Sequence, residues 1–426
     1  MRNIDDLFET EFKIFGLTIT IFDLFFFTVL TCLGIIMRMS LYDIVSGDYK
    51  LAFADWMREC HEAGGFAYLG IKPGVSDAST FDYNCMFQYI IVILHYIGGG
   101  ISDMYLVKTV SVIFDFICAI TIFRITYAVT GNDIKKSMIA YAATMFLPTM
   151  VLNSGAWAQN DSIYTAFVLL SLLSIIKEKD NKAFIYLALA YSFKQQTIFF
   201  IPFVILMWLK NKVKIRYIFW IPVIHVLAMV PAAIAGRSWG DLLGIYGKQV
   251  TMFSRLTMNY PSIYSIIAND LNSNIRKILI PVGSVATVMI FGIIAYYIYK
   301  KKFEITGRYM ITLVIFTSLL CCFCLPAMHE RYAYIPEILA VVYAVFSYKR
   351  ISVCTALQVI AMITYSRYLF GSTVLTIWPL AIAMLITIMV VGYDLYLQMK
   401  ENEIVAEVCP ETDIKETETE TEAVSG

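Results

Sequence analysis

Long apolar segments recur along almost the whole chain, from Leu17 to Met399. Each is about 17–25 residues long, which as a helix crosses a hydrocarbon core of about 30 Å. Only 15% of the 426 residues are charged, whereas soluble domains carry about 25%. Mean hydropathy is +0.69. The sequence therefore predicts an all-α polytopic membrane protein with about twelve transmembrane helices.

Lysine and arginine cluster in short connections between the apolar segments, and such clusters face the cytoplasm. The basic connections are 132–136, 177–182, 210–216, 300–302 and 348–350. Placing all of them inside puts both termini in the cytoplasm. It also places the polar corner around Trp157 on the outer side of the membrane. This corner joins two apolar segments. The stretch after Lys182 must then leave the cytoplasm and return as two short helices, with Lys194 at the outer turn.

The expected layout has a cytoplasmic N-terminus at 1–16, a membrane domain at 17–399 and a disordered acidic cytoplasmic tail at 400–426. Two large loops, 38–103 and 236–277, are expected outside. Within the first loop, the stretch from Tyr49 to Glu62 is amphipathic, which predicts a helix in the interfacial plane. The apolar run from Cys85 to Ile97 is too short to span and is read as interfacial or re-entrant.

Several function classes find no support in the sequence. Net charge is zero and no basic domain is present, so nucleic acid is not an expected partner. The chain contains no Walker A loop, no GxGxxG and no HExxH. No cofactor or metal is therefore expected, although two loop carboxylates could together hold a divalent ion.

Polar side chains recur in segments that this topology places on the outer face. These segments are 46–49, 153–162, 194–196 and 329–332. Each also has a simpler explanation: an N-cap at Ser46 or Asp48, a helix cap at Asp161, a snorkelling lysine at Lys194, and a solvated Glu330–Arg331 pair.

Taken together, the four segments put carboxylates, cations and aromatic rings on one side of the membrane. A carboxylate can act as general base on a hydroxyl group. Cations can hold a departing phosphate, with arginine suited to bidentate contact. The combination predicts a site that handles an anionic lipid headgroup.

Three of these segments resemble motifs of a known family. They are the corner SGAWAQNDSIYT, the segment ALAYSFKQQTIFFIP (Ala188–Pro202) and the segment MHERYAYIPE (Met328–Glu337). In this order they are similar to multi-pass glycosyltransferases of the GT-C class, closest to bacterial relatives of the GPI-anchor second mannosyltransferase (PIG-V-like). The stretch SGDYKLAFADW resembles the first-loop motif of that class. The chain departs from the family at Ala158, where the family has glycine, and at Asn84-Cys85, where it has a Tyr-Pro-Pro-like motif.

The resemblance implies transfer of a hexose, mannose or glucose, from a polyprenyl-phosphate sugar to an envelope glycan or lipid-linked acceptor. The reaction would take place at the extracytoplasmic face of the plasma membrane, among membrane lipids. Asp48 would be the catalytic base, with Asp161 as a second carboxylate that positions the acceptor or the sugar. Lys194 and Arg331 would contact the donor phosphate. The other expected substrate-binding residues are Trp56, Trp157, Gln159, Gln195, His329, Glu330 and Tyr332.

The sequence also leaves a second candidate base and a second candidate function open. Asp55 is close enough in sequence to compete with Asp48 for the base role. A transporter or flippase for a lipid-linked glycan is the alternative function, since transporters place ionisable sites near the midplane of the bilayer. Asp115 is the deep ionisable residue in the sequence, and Lys108 on the same helix face is its predicted ion-pair partner.

Overall fold

The computed structural model describes residues 4–14, 17–71, 83–252, 255–267 and 273–408. Helices α1 to α18 follow one another in chain order at Ile4–Phe8, Ile21–Met39, Ala54–Glu62, Cys85–Ile97, Asp103–Val129, Ile134–Met145, Pro148–Val151, Asp161–Ile176, Asp180–Phe193, Ile201–Leu209, Trp220–Ile234, Trp239–Met252, Ile263–Ile267, Ser273–Lys300, Gly307–Cys324, Tyr334–Phe346, Ile351–Leu369 and Ile377–Val408. Short strands β1 to β4 lie at Glu11–Ile14, Leu17–Thr20, Thr257–Met258 and Met328–His329. Strand β1 pairs antiparallel with β2, and β3 pairs parallel with β4.

Six helices in the described part of the chain are long and apolar enough to cross a membrane. These spans are Ile21–Met39, Asp103–Val129, Ile215–Ile234, Ile275–Lys300, Gly307–Cys324 and Ile377–Glu403. Shorter apolar helices lie at Cys85–Ile97, Asp161–Ile176, Gln195–Leu209 and Tyr334–Phe346. Helix α14 has the most exposed apolar surface of these six spans, because only 6% of its most apolar stretch is buried inside the protein. Contiguous apolar surface of this size is stable in lipid and not in water, so the prediction of an all-α membrane protein is confirmed.

The centre of the bundle forms around α5 and α8. Helix α5 packs against α6 and α8, and α8 packs against α9. On the other side, α15 packs against α16 and α18, and α16 packs against α17. Helices α2, α11 and α14 stand outside this core with their apolar side chains largely exposed. Polar groups that the core encloses must therefore find partners within the protein.

A buried ion pair joins α2 to α5. Arg38 Nε lies 2.7 Å from Asp115 Oδ2, and both side chains are fully buried. Ser154 Oγ donates to the same carboxylate oxygen at 2.6 Å. The contact ties the outlying helix α2 to the stretch that leads into the polar corner.

The predicted pairing of Lys108 with Asp115 is wrong. Seven residues along a helix correspond to about 10 Å, which is too far for direct contact even on one face. Lys108 Nζ instead donates to backbone carbonyl oxygens just after α2, those of Leu41 at 3.1 Å, Tyr42 at 2.8 Å and Ile44 at 2.7 Å.

Helices also form in the loops and short segments where the sequence predicts them. A π-helical turn at Tyr49–Phe53 leads into α3, whose Trp56 and Met57 are buried. The run from Cys85 to Ile97 is α4, and two short helices, α9 and α10, flank Lys194. Helix α18 continues to Val408, so the beginning of the predicted disordered tail is helical; residues 409–426 lie outside the described part of the chain.

Candidate active site

The polar segments meet at one cavity of about 410 Å³, within the range typical of ligand pockets. The predicted site residues on its wall are Asp48, Trp56, Gln159, Lys194, Gln195, His329, Arg331 and Tyr332. Trp157, Asp161 and Glu330 lie behind this wall, where they contact the side chains that form it. We call this space the central cavity. The segments that form it are separated by between 33 and 320 positions in the chain, and the fold brings them together.

Asp48 is the carboxylate on the cavity wall, and several donors fix it there. Trp157 Nε1 donates to Oδ2 at 3.0 Å, Gln159 Nε2 donates to the same oxygen, and the Tyr368 hydroxyl donates to Oδ1. Arg331 Nη1 lies 3.7 Å from Oδ2. The Asp48 side chain nevertheless remains 17% exposed, so it is oriented by the protein and still reachable from the cavity.

Two π-helical turns position these groups. One turn, Tyr49–Phe53, begins directly after Asp48, and the other, Leu152–Ala156, ends directly before Trp157. Such turns are rare in proteins, and those that do occur often lie at functional sites. Ser46 Oγ joins the two segments, because it donates to the Trp157 carbonyl oxygen at 2.6 Å and accepts from the Tyr49 amide at 3.1 Å. Ser46 therefore caps its own helix, as one explanation predicted, and also ties that helix to the corner.

Ala158 gives the corner its shape. Its φ of +64° lies in the left-handed region, which costs a residue with a Cβ roughly 1 kcal/mol and costs glycine little. The reversal lets the side chains of Trp157 and Gln159, on either side of it, both reach Asp48. The family that the motifs resemble has glycine at this position, which fits the backbone that the corner adopts.

Asp161 forms a buried layer behind the wall. It is 1% exposed, and its Oδ1 lies 2.6 Å from Lys194 Nζ while its Oδ2 accepts from Asn153 Nδ2 at 2.9 Å. Lys194 Nζ also donates to Asn160 Oδ1 at 2.9 Å. Lys194 is thus a buried, paired cation and not a snorkelling side chain, and Asp161 is bound to side chains instead of capping its helix.

Arg331 connects the two carboxylates. Its Nε lies 3.5 Å from Asp161 Oδ2, and its Nη1 faces Asp48. Its guanidinium carbon also lies 5.5 Å from the Trp157 ring centroid, within the range of a cation–π interaction. Burial alone would lower the pKa of Arg331, but Asp48 and Asp161 outweigh it and raise that pKa well above the usual value. Arg331 is therefore a permanent positive charge at the centre of the site.

The turn that carries Arg331 is buried. Glu330 is 2% exposed, so the explanation of a solvated Glu330–Arg331 pair is wrong, although the two side chains do lie 3.5 Å apart. Burial raises the pKa of Glu330 to about 7, against the opposing effect of Arg331. Burial also lowers the pKa of His329 well below its usual value, and Arg331 and Lys194 add to this. The Glu330 amide donates to the Met258 carbonyl oxygen at 3.2 Å, which anchors the turn to the second large loop.

Asp55 does not join this cluster. Its carboxylate lies 2.8 Å from Arg58, whose side chain is mostly exposed. Asp55 is not among the described residues on the cavity wall. The structure therefore favours Asp48 over Asp55 as the carboxylate that a ligand in the cavity would meet.

The sequence alone did not identify several residues of the site. Tyr368 stacks on Trp157 with ring centroids 4.8 Å apart and completes the cradle of Asp48. Tyr83 lies on the wall with its ring centroid 5.5 Å from Lys194 Nζ. Tyr246 and Gln249 of α12 also line the cavity. These are ordinary aromatic and amide residues outside any motif, so no local pattern marks them.

One side of the central cavity is mostly apolar and borders the lipid-facing surface. Ile280 and Ser284 of α14 line it, and α14 is the helix whose apolar stretch is 6% buried. Ile198, which is 38% exposed, contributes from the turn after Lys194. A ligand in the cavity could thus present a charged group to Arg331 and an apolar group to this side.

The chain is thus an all-α membrane protein with a charged cavity that both its helices and its connecting segments line. Neither a scan against models of known protein families nor a search of curated proteins finds a match. Among the described residues, no group of three or more histidine, cysteine, aspartate and glutamate side chains is arranged to hold a metal ion.

Proposed function

We propose that this chain is a GT-C-type membrane glycosyltransferase with about twelve crossings. It transfers a hexose from a polyprenyl-phosphate sugar to an envelope glycan or lipid-linked acceptor, and mannose is the expected hexose. The observation that carries the proposal is the composition of the central cavity. One wall presents an oriented carboxylate, Asp48, together with the cations Lys194 and Arg331.

In the proposed reaction, Asp48 accepts the proton of an acceptor hydroxyl as that oxygen attacks the anomeric carbon of the donor sugar. The bond between this carbon and the phosphate oxygen breaks, and its electron pair leaves with the polyprenyl phosphate. Lys194 and Arg331 stabilise the negative charge that develops on the phosphate. Trp157, Gln159 and Tyr368 hold Asp48 in place, and such fixed geometry is a main source of rate enhancement.

Asp161 serves this reaction indirectly. Its carboxylate is 1% exposed and holds Lys194 Nζ at 2.6 Å. It also faces Arg331 at 3.5 Å. In the proposal it therefore orients the two phosphate-binding cations and does not touch substrate.

A lipid-linked donor fits the apolar side of the cavity. Ile280 and Ser284 belong to a helix whose other surface faces lipid, so a prenyl chain could lie along α14 while its phosphate reaches Arg331. The distribution of basic connections supports an extracytoplasmic site in the plasma membrane. Trp56, which is buried on the wall, offers an aromatic surface of the kind that packs against sugar rings.

The proposal is tested by transfer of labelled hexose from a panel of polyprenyl-phosphate sugars in reconstituted membranes. Asp48→Asn is expected to lower transfer at least about 100-fold, since general bases contribute 10²–10⁴-fold. Asp55→Asn is the matched control, because Asp55 lies in the same loop, and it should retain wild-type transfer. Equal transfer by wild type and Asp48→Asn would remove Asp48 as the base, and no transfer by wild type with any donor would contradict the function.

A further inference from the structure

Glu330 is a buried carboxyl group that the reaction above does not use. It is 2% exposed and is not on the described wall of the central cavity. Among the described residues its Oε1 has no hydrogen-bond partner, and this oxygen lies 3.5 Å from Arg331 Nη1. The hydrogen bond from its amide to the Met258 carbonyl oxygen fixes the backbone of the turn that carries this side chain.

The same nitrogen of Arg331 faces the catalytic side of the cavity. Nη1 lies 3.7 Å from Asp48 Oδ2, and Nε lies 3.5 Å from Asp161 Oδ2. One guanidinium therefore serves three carboxyl groups. With Lys194 also present, the cluster is neutral when Glu330 is protonated and carries one negative charge when Glu330 is ionised.

A sugar phosphodiester carries one negative charge of its own. It meets a neutral cluster if Glu330 is protonated, and like-charge repulsion if Glu330 is ionised. The ionised carboxylate would also compete with the phosphate for Arg331, because both are oxygen anions that accept from the same guanidinium.

We propose that Glu330 is a positioning residue that controls donor binding through Arg331. When Glu330 is neutral, the guanidinium is available to bind the donor phosphate. When Glu330 is ionised, its carboxylate binds the guanidinium in place of the phosphate. This inference rests on the proposed function and adds a role for a residue behind the cavity wall.

Among the described groups that face one another here, Glu330 is the carboxyl group whose pKa is raised to near neutrality. Burial raises the pKa of Glu330 to about 7, so it is neutral below pH 7 and ionised above. The other titratable groups that face it are Arg331 and His329 on its own turn, Asp48, Asp161 of α8, and Tyr365 and Tyr368 of α17. Burial lowers the pKa of His329, so that ring stays neutral. Tyrosine hydroxyls ordinarily titrate near pH 10 and phosphodiesters do not titrate in this range.

The first test is the donor KM, separated from kcat, between pH 6 and pH 8. For the wild type, KM should rise by up to about tenfold over this interval, as expected for one group with a pKa near 7. Glu330→Gln, which is neutral at every pH, should show a KM that changes less than about twofold over the same interval. Glu62→Gln, an exposed neutralisation in the first loop, should keep the wild-type rise. A wild-type KM that is independent of pH, or a Glu330→Gln variant that keeps the rise, would overturn the inference.

A second measurement does not depend on transfer. Infrared spectra of the purified protein should contain a protonated carboxyl band that disappears on raising the pH through 7. The band should be absent from Glu330→Gln and present in Glu337→Gln, which removes another buried glutamate. If the wild type lacks such a band, Glu330 is not the neutral group that the inference requires, whatever the transfer assay shows. If the band is present and no donor is used, the proposed function fails instead.

Discussion

Tyr368 donates its hydroxyl hydrogen to Asp48 across 320 positions of sequence. The same ring stacks on Trp157, whose own indole nitrogen donates to Asp48 at 3.0 Å. The end of α17 thus supplies a hydrogen-bond donor to Asp48, which lies in the first large loop. Tyr368 is part of the site because of the fold and not because of any motif.

Tyr368→Phe should therefore impair the reaction without disturbing the fold. The phenyl ring can keep its stack on Trp157, and the variant loses one hydrogen bond to a charged group, worth about 1.5–3 kcal/mol. We expect kcat/KM for hexose transfer to fall by roughly 10- to 100-fold. The thermal unfolding midpoint should fall by only about a few degrees, the shift expected when a chain of this length loses one such hydrogen bond.

Tyr365→Phe provides the matched control for this change. Tyr365 is one turn earlier on α17 and also contacts Trp157, edge to face at 5.0 Å. Its hydroxyl has no hydrogen-bond partner among the described residues, so its removal should leave transfer nearly unchanged. Equal losses in the two variants would show that the Tyr368 hydroxyl has no special role.

Changing Asp48 to asparagine and changing Asp161 to asparagine should have different effects on the stability of the protein. Asp48 lies on the cavity wall, so Asp48→Asn should lose transfer while its unfolding temperature stays near the wild-type value. Asp161 is buried against Lys194 at 2.6 Å, and removing one partner of a buried pair costs about 3–5 kcal/mol. Asp161→Asn should therefore lose both transfer and stability. Thermal unfolding in detergent, measured beside the transfer assay, separates the loss of transfer from the loss of stability. An Asp161→Asn protein as stable as the wild type would contradict the placement of Asp161 in a buried layer behind the cavity wall.

Arg331→Lys should not be a conservative change. The guanidinium faces Asp48, Asp161 and Glu330 through two of its nitrogens, and a single ammonium cannot reproduce that geometry. We expect a loss of about 100-fold in kcat/KM for the donor. Arg58→Lys, on the exposed face of α3, should have no measurable effect, and a similarly mild Arg331→Lys would show that charge alone is sufficient.

The Arg38–Asp115 pair should behave as a structural unit. Asp115→Asn leaves a fully buried arginine without its counter-charge and should cost about 3–5 kcal/mol, seen as a lower unfolding temperature. The double variant Arg38→Met, Asp115→Leu removes both charges and should recover much of that loss. A double variant as unstable as the single one would mean that the pair has a role beyond mutual neutralisation.

The features that could be predicted from the sequence are those set by local pattern. Apolar length predicts the helices, and ionisable residues at the ends of apolar segments pointed to Asp48, Lys194 and Arg331. These predictions depend on the cost of a charge near hydrocarbon, which acts at each residue separately.

What the sequence could not predict depends on packing between distant segments. It placed Asp161 and Glu330 in the same group as Asp48, but it could not show that they lie in a second layer behind the wall. It paired Lys108 with Asp115 by helix periodicity, whereas the true partner, Arg38, comes from another helix. Tyr368 carried no signal, because a tyrosine near the end of an apolar helix is ordinary.

In the proposed function, the cavity bordered by Asp48, Arg331 and α14 receives a lipid-linked sugar phosphate. The most direct measurement is an experimental structure of the reconstituted protein with bound polyprenyl phosphate. Phosphate density is expected between Lys194 and Arg331, with the prenyl chain running past Ile280 and Ser284 toward the lipid. Phosphate bound elsewhere on the protein, with this cavity empty or filled by another class of ligand, would contradict it.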